Sequence, residues 1–276
     1  MAQDTGKFRT NTKDQYYTKE SVAKHCVDCI ESHVPNGRIY QWIEPSAGNG
    51  IFLKCLAQDV EKLGIDIDPK EASIVKGDFL QWSPITEKHR IFFGNPPFGR
   101  QGSLAKKFIQ HAAKYATIIA FILPRSFVKP SMSRAFPLLF HCIYSEELPK
   151  DSFEVNGKSY DVPCIFQIWE KRETPRAIEE AIQEEGFSFV KRDEAFDFVC
   201  KRVGGLAGKC ATGQKEEFNP QYHYYIQLED NYKGQIKNIM ETMNGHVFPS
   251  NTVGPRSLSK SEISEVLNLI LQQISV

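Results

Sequence analysis

IYQWIEPSAGNGIFLKCLAQDVEKLGIDIDP, residues 39–69, decides the fold. Ile39 to Ile43 is a short apolar run that reads as a strand, and Glu44 to Gly50 is a turn carrying two glycines. Gly50 to Ala57 has helical apolar spacing, and Lys62 to Ile67 is a second apolar run. Strand, turn, helix and strand in this order make the βαβ unit of a parallel sheet, whose strands are covered on both faces. The pattern continues outward. Ser73 to Lys76 leads to a third element near Gly77-Asp78-Phe79-Leu80, and Ile91 to Gly94 is a fourth strand. Leu104 to Tyr115 is a helix with Leu104, Phe108 and Ala112 on one face, and TIIAFIL, Thr117 to Leu123, is a fully buried strand. Beyond Pro124 come a basic segment, a strand near His141 to Glu147, and a hairpin-like passage through Asn156-Gly157 into Val162 to Glu170. The expectation is an α/β, Rossmann-like, seven-stranded doubly wound sheet with its last strand antiparallel.

Past Pro175 the texture changes. A short acidic helix from Arg176 to Glu185 is followed by strand-like Phe187 to Lys191 and Phe196 to Arg202. A Gly-rich loop, a Tyr-rich strand from His223 to Leu228 and a helix from Lys260 to Ile274 complete the chain. The expected division is a first domain of residues 1–172 and a small α+β domain of residues 173–276.

Composition narrows the function classes. Lys plus Arg and Asp plus Glu each total 34 in 276 residues, so the chain is no polycation, and a nucleic-acid partner would need a local basic surface. No run of about 18 apolar residues occurs, and MAQDTGKFRT lacks the apolar stretch of a secretory signal, so a soluble intracellular protein without membrane attachment is expected. Seven cysteines spread through the chain fit reduced thiols better than a disulfide framework. Cys55, Cys142, Cys164, Cys200 and Cys210 read as core. His25, Cys26, Cys29 and His33 are zinc-type ligands in one short stretch, but Thr18 to Ser32 reads as an amphipathic helix on which they point several ways. Structural zinc sites draw on two elements, so no metal is expected there.

Three loops at successive strand ends carry the chemistry. In EPSAGNG, Glu44 to Gly50, Gly48 and Gly50 let the backbone approach a ligand closely. GIDIDP, Gly64 to Pro69, puts Asp66 at the tip of the second strand, where a carboxylate can accept ribose hydroxyls. GDF puts Asp78 and Phe79 where an acid and a ring can hold an adenine. A fourth stretch, GNPPFG from Gly94 to Gly99, ends the strand Ile91 to Gly94, because proline cannot donate to a sheet ladder.

EPSAGNG, GIDIDP, GDF and NPPF in this order resemble the class I S-adenosylmethionine-dependent methyltransferases that methylate amines, chiefly the N6-adenine enzymes of DNA and RNA. Upstream, Asp14-Gln15-Tyr16-Tyr17-Thr18 resembles that family's DQFFT-like cofactor motif, and Leu123-Pro124-Arg125-Ser126-Phe127 resembles its LPxSF segment. The similarity covers residues 14–170. It implies S-adenosylmethionine as cofactor, with Tyr17 and Thr18 closing over the methionine end and Glu44 near the cofactor's amino group. Ser46, Ala47, Gly48 and Gly50 would lie against it, Asp66 and Ile67 at the ribose, and Asp78 and Phe79 at the adenine, with Asn95 adjoining. Asp66 departs from the glutamate common at the ribose position. Phe108 is either a second wall for the adenine or helix packing.

The resemblance also gives GNPPFG a mechanism. The adenine amine is conjugated with its ring and is a weak nucleophile. The Asn95 side-chain oxygen and the Pro96 carbonyl can each accept one N–H, with Pro96 and Pro97 stiffening the carbonyl and Phe98 offering a stacking face. No Pro-Cys nucleophile stands at this strand end, which argues against cytosine C5 chemistry.

A base in a duplex must be flipped out to reach such a pocket. Phe153 is either a second stacking wall or a hairpin core residue. Residues 100–134 carry Arg100, Lys106, Lys107, Lys114, Arg125, Lys129 and Arg134 without an acid, and Arg100, Arg125, Lys129 and Arg134 are candidates for phosphate contact, Arg125 and Lys129 foremost. In the second domain, Arg202 to Lys209 reads as a flexible basic loop for a phosphate or as an ordinary hairpin loop, and it is no P-loop. Tyr222 to Tyr225 could stack on bases or pack as core. The leading expectation is N6-adenine methylation of DNA, with target recognition as a role for the second domain. Adenine methylation of RNA, glutamine methylation of a protein and a catalytically silent binding module are the alternatives.

Overall fold

The computed structural model describes residues 17–155, 157–177, 182–249 and 256–274. The chain divides into two compact units, Met1–Ile178 and Glu179–Val276. Asp14 to Tyr16 and Asn156 lie outside the described residues.

The first unit begins with β1 (Tyr17–Thr18) and α1 (Glu20–His33), followed by β2 (Gln41–Glu44), α2 (Ile51–Cys55), β3 (Lys62–Asp66) and β4 (Val75–Lys76). Next come β5 (Arg90–Gly94), α3 (Ser103–Ala112), β6 (Ile118–Pro124), α4 (Pro130–Ser133) and β7 (Phe140–Glu147). The hairpin β8 (Phe153–Val155) and β9 (Lys158–Tyr160) precedes β10 (Cys164–Lys171). A seven-stranded sheet runs in the order β4-β3-β2-β5-β6-β10-β7. Its pairs from β4 to β6 are parallel, and β10 is inserted antiparallel between β6 and β7. This is the Rossmann-like, doubly wound α/β sheet expected from residues 39–69.

Alternation along the buried strands explains why both faces are covered. Ile91 and Phe93 of β5 and Ile118, Ala120 and Ile122 of β6 join one apolar cluster with Val22, Cys26 and Ile30 of α1. Phe92 and Ile119, Phe121 and Leu123 face the opposite cluster, with Ala105, Phe108 and Ile109 of α3. Every residue of β5 and β6 is buried, as central parallel strands require. Among the described residues, no helix is long and apolar enough to cross a membrane.

Several local expectations change. The hairpin around Asn156-Gly157 does not feed the large sheet: β8 pairs with β9 and with β1 in a separate three-stranded sheet. The third element near Gly77 is the two-residue β4 followed by a 3-10 turn at Phe79–Gln81. The described ends of the acidic segment, 176–177 and 182–185, are not helical. Cys142 is exposed and Cys55 only partly buried, whereas Cys164, Cys200 and Cys210 are core.

The second unit holds β11 (Phe187–Val190), β12 (Phe198–Lys201), β13 (Cys210–Ala211) and β14 (His223–Leu228), with α5 (Ile236–Gly245) and α6 (Lys260–Ile274). Its antiparallel sheet runs β11-β14-β12-β13. Ile226 and Leu228 pack with Ile239 and Met243 of α5 and Ile263 and Leu267 of α6. Helix α5 has no counterpart in the sequence reading. The Tyr-rich strand alternates: Tyr225 is buried, while the Tyr224 hydroxyl donates to the Leu258 carbonyl (3.1 Å) under the Arg202 guanidinium, 4.6 Å from the ring. Lys209 donates to the Asn244 carbonyl, and a Cβ at Gly208 would lie 2.5 Å from the Phe248 ring. The loop from Arg202 to Lys209 is therefore packed and internally bonded, not the flexible phosphate loop considered from its composition.

Candidate active site

One cavity of about 360 Å³ opens at the carboxyl ends of β2, β3 and β5, a size typical of small-ligand pockets. It gathers residues from all four sequence motifs and from β1. Tyr17, Thr18, Glu44, Ser46, Ala47, Gly48, Asp66, Ile67, Asp78, Phe79 and Asn95 to Phe98 line it. Gly50 does not line it. Instead Gly50 accepts the turn at φ +70° and caps the start of α2.

The loops are bonded to one another. Asp66 Oδ2 accepts the Gly48 N–H (2.7 Å) while Oδ1 accepts the Asp68 N–H (2.8 Å), so one carboxylate ties the β2 loop to the β3 loop. The Ser46 hydroxyl donates to the Asn95 carbonyl (3.1 Å), joining the β2 loop to the β5 loop. Asn95 Nδ2 donates to Thr18 Oγ1 (3.3 Å). Thr18 is held in turn by its register opposite Phe153 in the small sheet. A Cβ at Gly48, at φ +52°, would come within 3.5 Å of the Tyr17 ring, so the backbone lies close under that ring.

Glu44 is the electrostatic centre. It is 2 % exposed, and its Oε2 is buried with no hydrogen-bond partner among the described residues. Burial, reinforced by the nearby Asp66 charge, pushes its carboxyl well above the usual range. A cationic donor entering the cavity would supply the partner that Glu44 lacks. Gly94, at φ +115°, makes room for it: a Cβ there would lie 3.1 Å from Glu44 Cγ.

The far side of the cavity is aromatic and partly open. Phe79 is 1 % exposed, with its ring 5.2 Å from Phe108, which also lines the cavity. The two readings of Phe108 are thus compatible, because it packs on the helix face and borders the cavity. Asp78 Oδ1 caps the 3-10 turn by accepting the Leu80 N–H (2.9 Å). Ile67 is 71 % exposed at the cavity, an apolar side chain without burial.

The substrate candidates divide. Phe98 borders the cavity, and its carbonyl accepts the Leu104 and Ala105 N–H groups (3.1 and 3.2 Å), fixing the loop to the start of α3. Phe153 does not line it. At 1 % exposure the Phe153 ring belongs to the core beside α1, which corrects the stacking role considered for it. Arg125 and Lys129 follow β6 outside the cavity lining, and the Arg125 guanidinium already donates to Glu147. Sequence reasoning missed Ile51, Phe52, Asp68, Leu80 and Leu104 as lining residues. Asp68 was within reach, since it sits in the same GIDIDP stretch as Asp66.

No protein-family model and no curated protein matches the chain. Among solved structures, it is similar to a candidate RNA methyltransferase from Pyrococcus horikoshii at 16 % identity and TM-score 0.46, covering 59 % of this chain and 91 % of that one. It is also similar to a candidate class I S-adenosylmethionine-dependent methyltransferase from Listeria monocytogenes at 14 % identity and TM-score 0.46, over 61 % and 65 % of the two chains. A third likeness, to a type I restriction-modification methyltransferase subunit from Streptococcus thermophilus, has 12 % identity and TM-score 0.44, over 98 % of this chain and 59 % of that one.

Proposed function

We propose that the chain transfers a methyl group from S-adenosylmethionine to the N6 amine of adenine in DNA. One observation supports this above all: Asn95, with its Nδ2 engaged by Thr18, borders the same cavity as the unpartnered Glu44 carboxylate oxygen. When bound, the cofactor supplies an electrophilic methyl on a positively charged sulfur, which leaves as a neutral thioether.

The chain's residues fit that group. Glu44 accepts the ammonium of its methionine end, the pairing that a buried acid requires. The backbone at Gly48 gives close approach beneath Tyr17. Asp66 keeps lone pairs for the ribose hydroxyls beyond the two backbone N–H groups it already accepts. Phe79, Phe108 and the exposed Ile67 provide apolar faces for the adenine, and Asp78 an acceptor for its amine.

At the acceptor, Asn95 Oδ1 and the Pro96 carbonyl each take one N–H of the target amine. This would draw the nitrogen lone pair out of conjugation and hold the amine in a fixed orientation in the cavity. The amine nitrogen would take the methyl that the bound cofactor would supply, the thioether would be the leaving group, and the surplus proton would pass to solvent. Positioning is the main device, so no strong base is required. Phe98 stacks on the extruded base, Arg125 and Lys129 lie in the basic segment for the backbone, and residues 179–276 take the role of target recognition.

The test is an acceptor survey with tritiated cofactor on DNA, RNA and protein. Label entering DNA supports the proposal. Label entering RNA alone moves the substrate, and label entering protein alone overturns the reading.

A further inference from the structure

We propose that His25, Cys29 and Glu146 form a binding site for a zinc-type divalent cation that clamps α1 to the edge strand β7. His25 and Cys29 are one turn apart on α1 and so share a face, while Glu146 comes from 117 residues beyond Cys29, on β7. The three ligand atoms lie within 4.8 Å of one another. Cys29 Sγ is 3.5 Å from His25 Nε2 and 3.8 Å from Glu146 Oε1, and Nε2 is 2.7 Å from that oxygen.

Metal geometry accounts for these separations. With Zn–S near 2.3 Å and Zn–N or Zn–O near 2.0–2.1 Å, tetrahedral ligands stand about 3.3–3.6 Å apart. Both contacts to sulfur are already close to that spacing. Only the His25–Glu146 pair must open, by about 0.6 Å, and its side chains are 51 % and 26 % exposed and can swing. A histidine–carboxylate hydrogen bond alone explains the shortest contact. The Cys29 thiol stands within reach of both groups and, at 3.8 Å, of the Tyr144 hydroxyl.

The donor set also suits the ion. Imidazole, thiolate and carboxylate select zinc over magnesium or calcium, which prefer oxygen alone. On binding, the Cys29 S–H gives its proton to solvent and the sulfur bonds the metal. Neutral His25 binds through Nε2, and Glu146 through Oε1. Two negative ligands cancel the dication, so the half-buried site carries no net charge. Water completes the fourth position.

The sequence alone pointed away from this site, because its third ligand lies far along the chain. Cys26 is fully buried in the core, and the His33 ring packs on Tyr144 at 4.3 Å. The convergence is therefore of two helix residues with one strand residue, from two elements.

The chelator-treated chain titrated with Co²⁺ should develop a near-ultraviolet thiolate-to-cobalt band, saturating at one ion per chain. Zn²⁺ should displace the cobalt and raise the unfolding midpoint, and Mg²⁺ should do neither. Cys29→Ser should abolish the band. His25→Ala and Glu146→Gln, at more accessible positions, should retain the circular dichroism of the fold and weaken Co²⁺ binding at least tenfold. Absence of the band in the wild-type protein, or a band undiminished by all three substitutions, overturns the site.

Discussion

Replacing Glu44 by Gln separates the cost of the site from its use. The Glu44 Oε2 is buried without a partner among the described residues, and its carboxyl is held well above the ordinary range by burial and by Asp66. A group whose folded pKa is raised favours the fold below its unfolded pKa. That contribution is lost as pH rises toward the folded value, with a slope of at most about 1.4 kcal/mol per pH unit starting near pH 4.3. Gln keeps the volume and never ionises. A buried, unpaired polar atom costs about 1–3 kcal/mol, and more when charged, so at pH 8 the variant should be more stable by about 1–2 kcal/mol. In a unit of 178 residues this corresponds to a midpoint rise of about 2–8 °C. Cofactor binding should respond in the opposite direction, because a charge-assisted hydrogen bond worth about 1.5–3 kcal/mol is lost, weakening affinity roughly 10- to 100-fold. Wild-type affinity should rise with pH as Glu44 ionises, until the ligand's own ammonium begins to deprotonate near pH 7.7. The assays are thermal unfolding of ligand-free wild type and variant across pH, and isothermal titration with cofactor. A variant that is less stable at pH 8 yet binds cofactor as tightly as wild type would refute the reasoning.

Other positions yield sharper single outcomes. Asn95→Ala should reduce turnover at least a hundredfold while cofactor affinity in calorimetry stays within a few-fold; retained turnover removes Asn95 from the chemistry. Phe98→Ala should raise KM for the acceptor or lower kcat with the fold intact, whereas Phe153→Ala, in the core, should cost about 3–5 kcal/mol in denaturant unfolding. The opposite pattern would reverse their assigned roles. At Gly64 a Cβ would lie 2.6 Å from Leu53 Cδ1 and 3.1 Å from the Ala47 Cβ. Gly64→Ala should therefore destabilise the first unit by about 1–3 kcal/mol and loosen cofactor binding through the shifted β2 loop. Unchanged unfolding would show that α2 yields freely.

Local signals were legible in the sequence. Residues 39–69 and the loops at Asp66, Asp78 and Asn95 are written in contiguous glycines, acids and prolines, whose backbone demands do not depend on distant partners. What escaped depends on pairing across the chain. The union of Tyr17-Thr18 with Phe153 and Glu154 is a register between segments over a hundred positions apart, so local signals show neither the separate small sheet nor which of its two readings Phe153 takes. The double engagement of Asp66 by Gly48 and Asp68 likewise appears only once the loops meet. Helix α5 was missed although its signal is local: Ile236, Ile239, Met240 and Met243 stand at i, i+3, i+4 and i+7 and pack in or against the core. Cys29 looked like helix packing until Glu146 stood beside it.

Digesting methylated acceptors to nucleosides and resolving them by mass spectrometry identifies the base and the nitrogen that receive the methyl group. N6-methyladenosine of the deoxy series should form from DNA with the wild-type chain and be lost with Asn95→Ala. Methyl label confined to protein, or N6-methyladenine formed undiminished by the Asn95 variant, would contradict the proposed transfer.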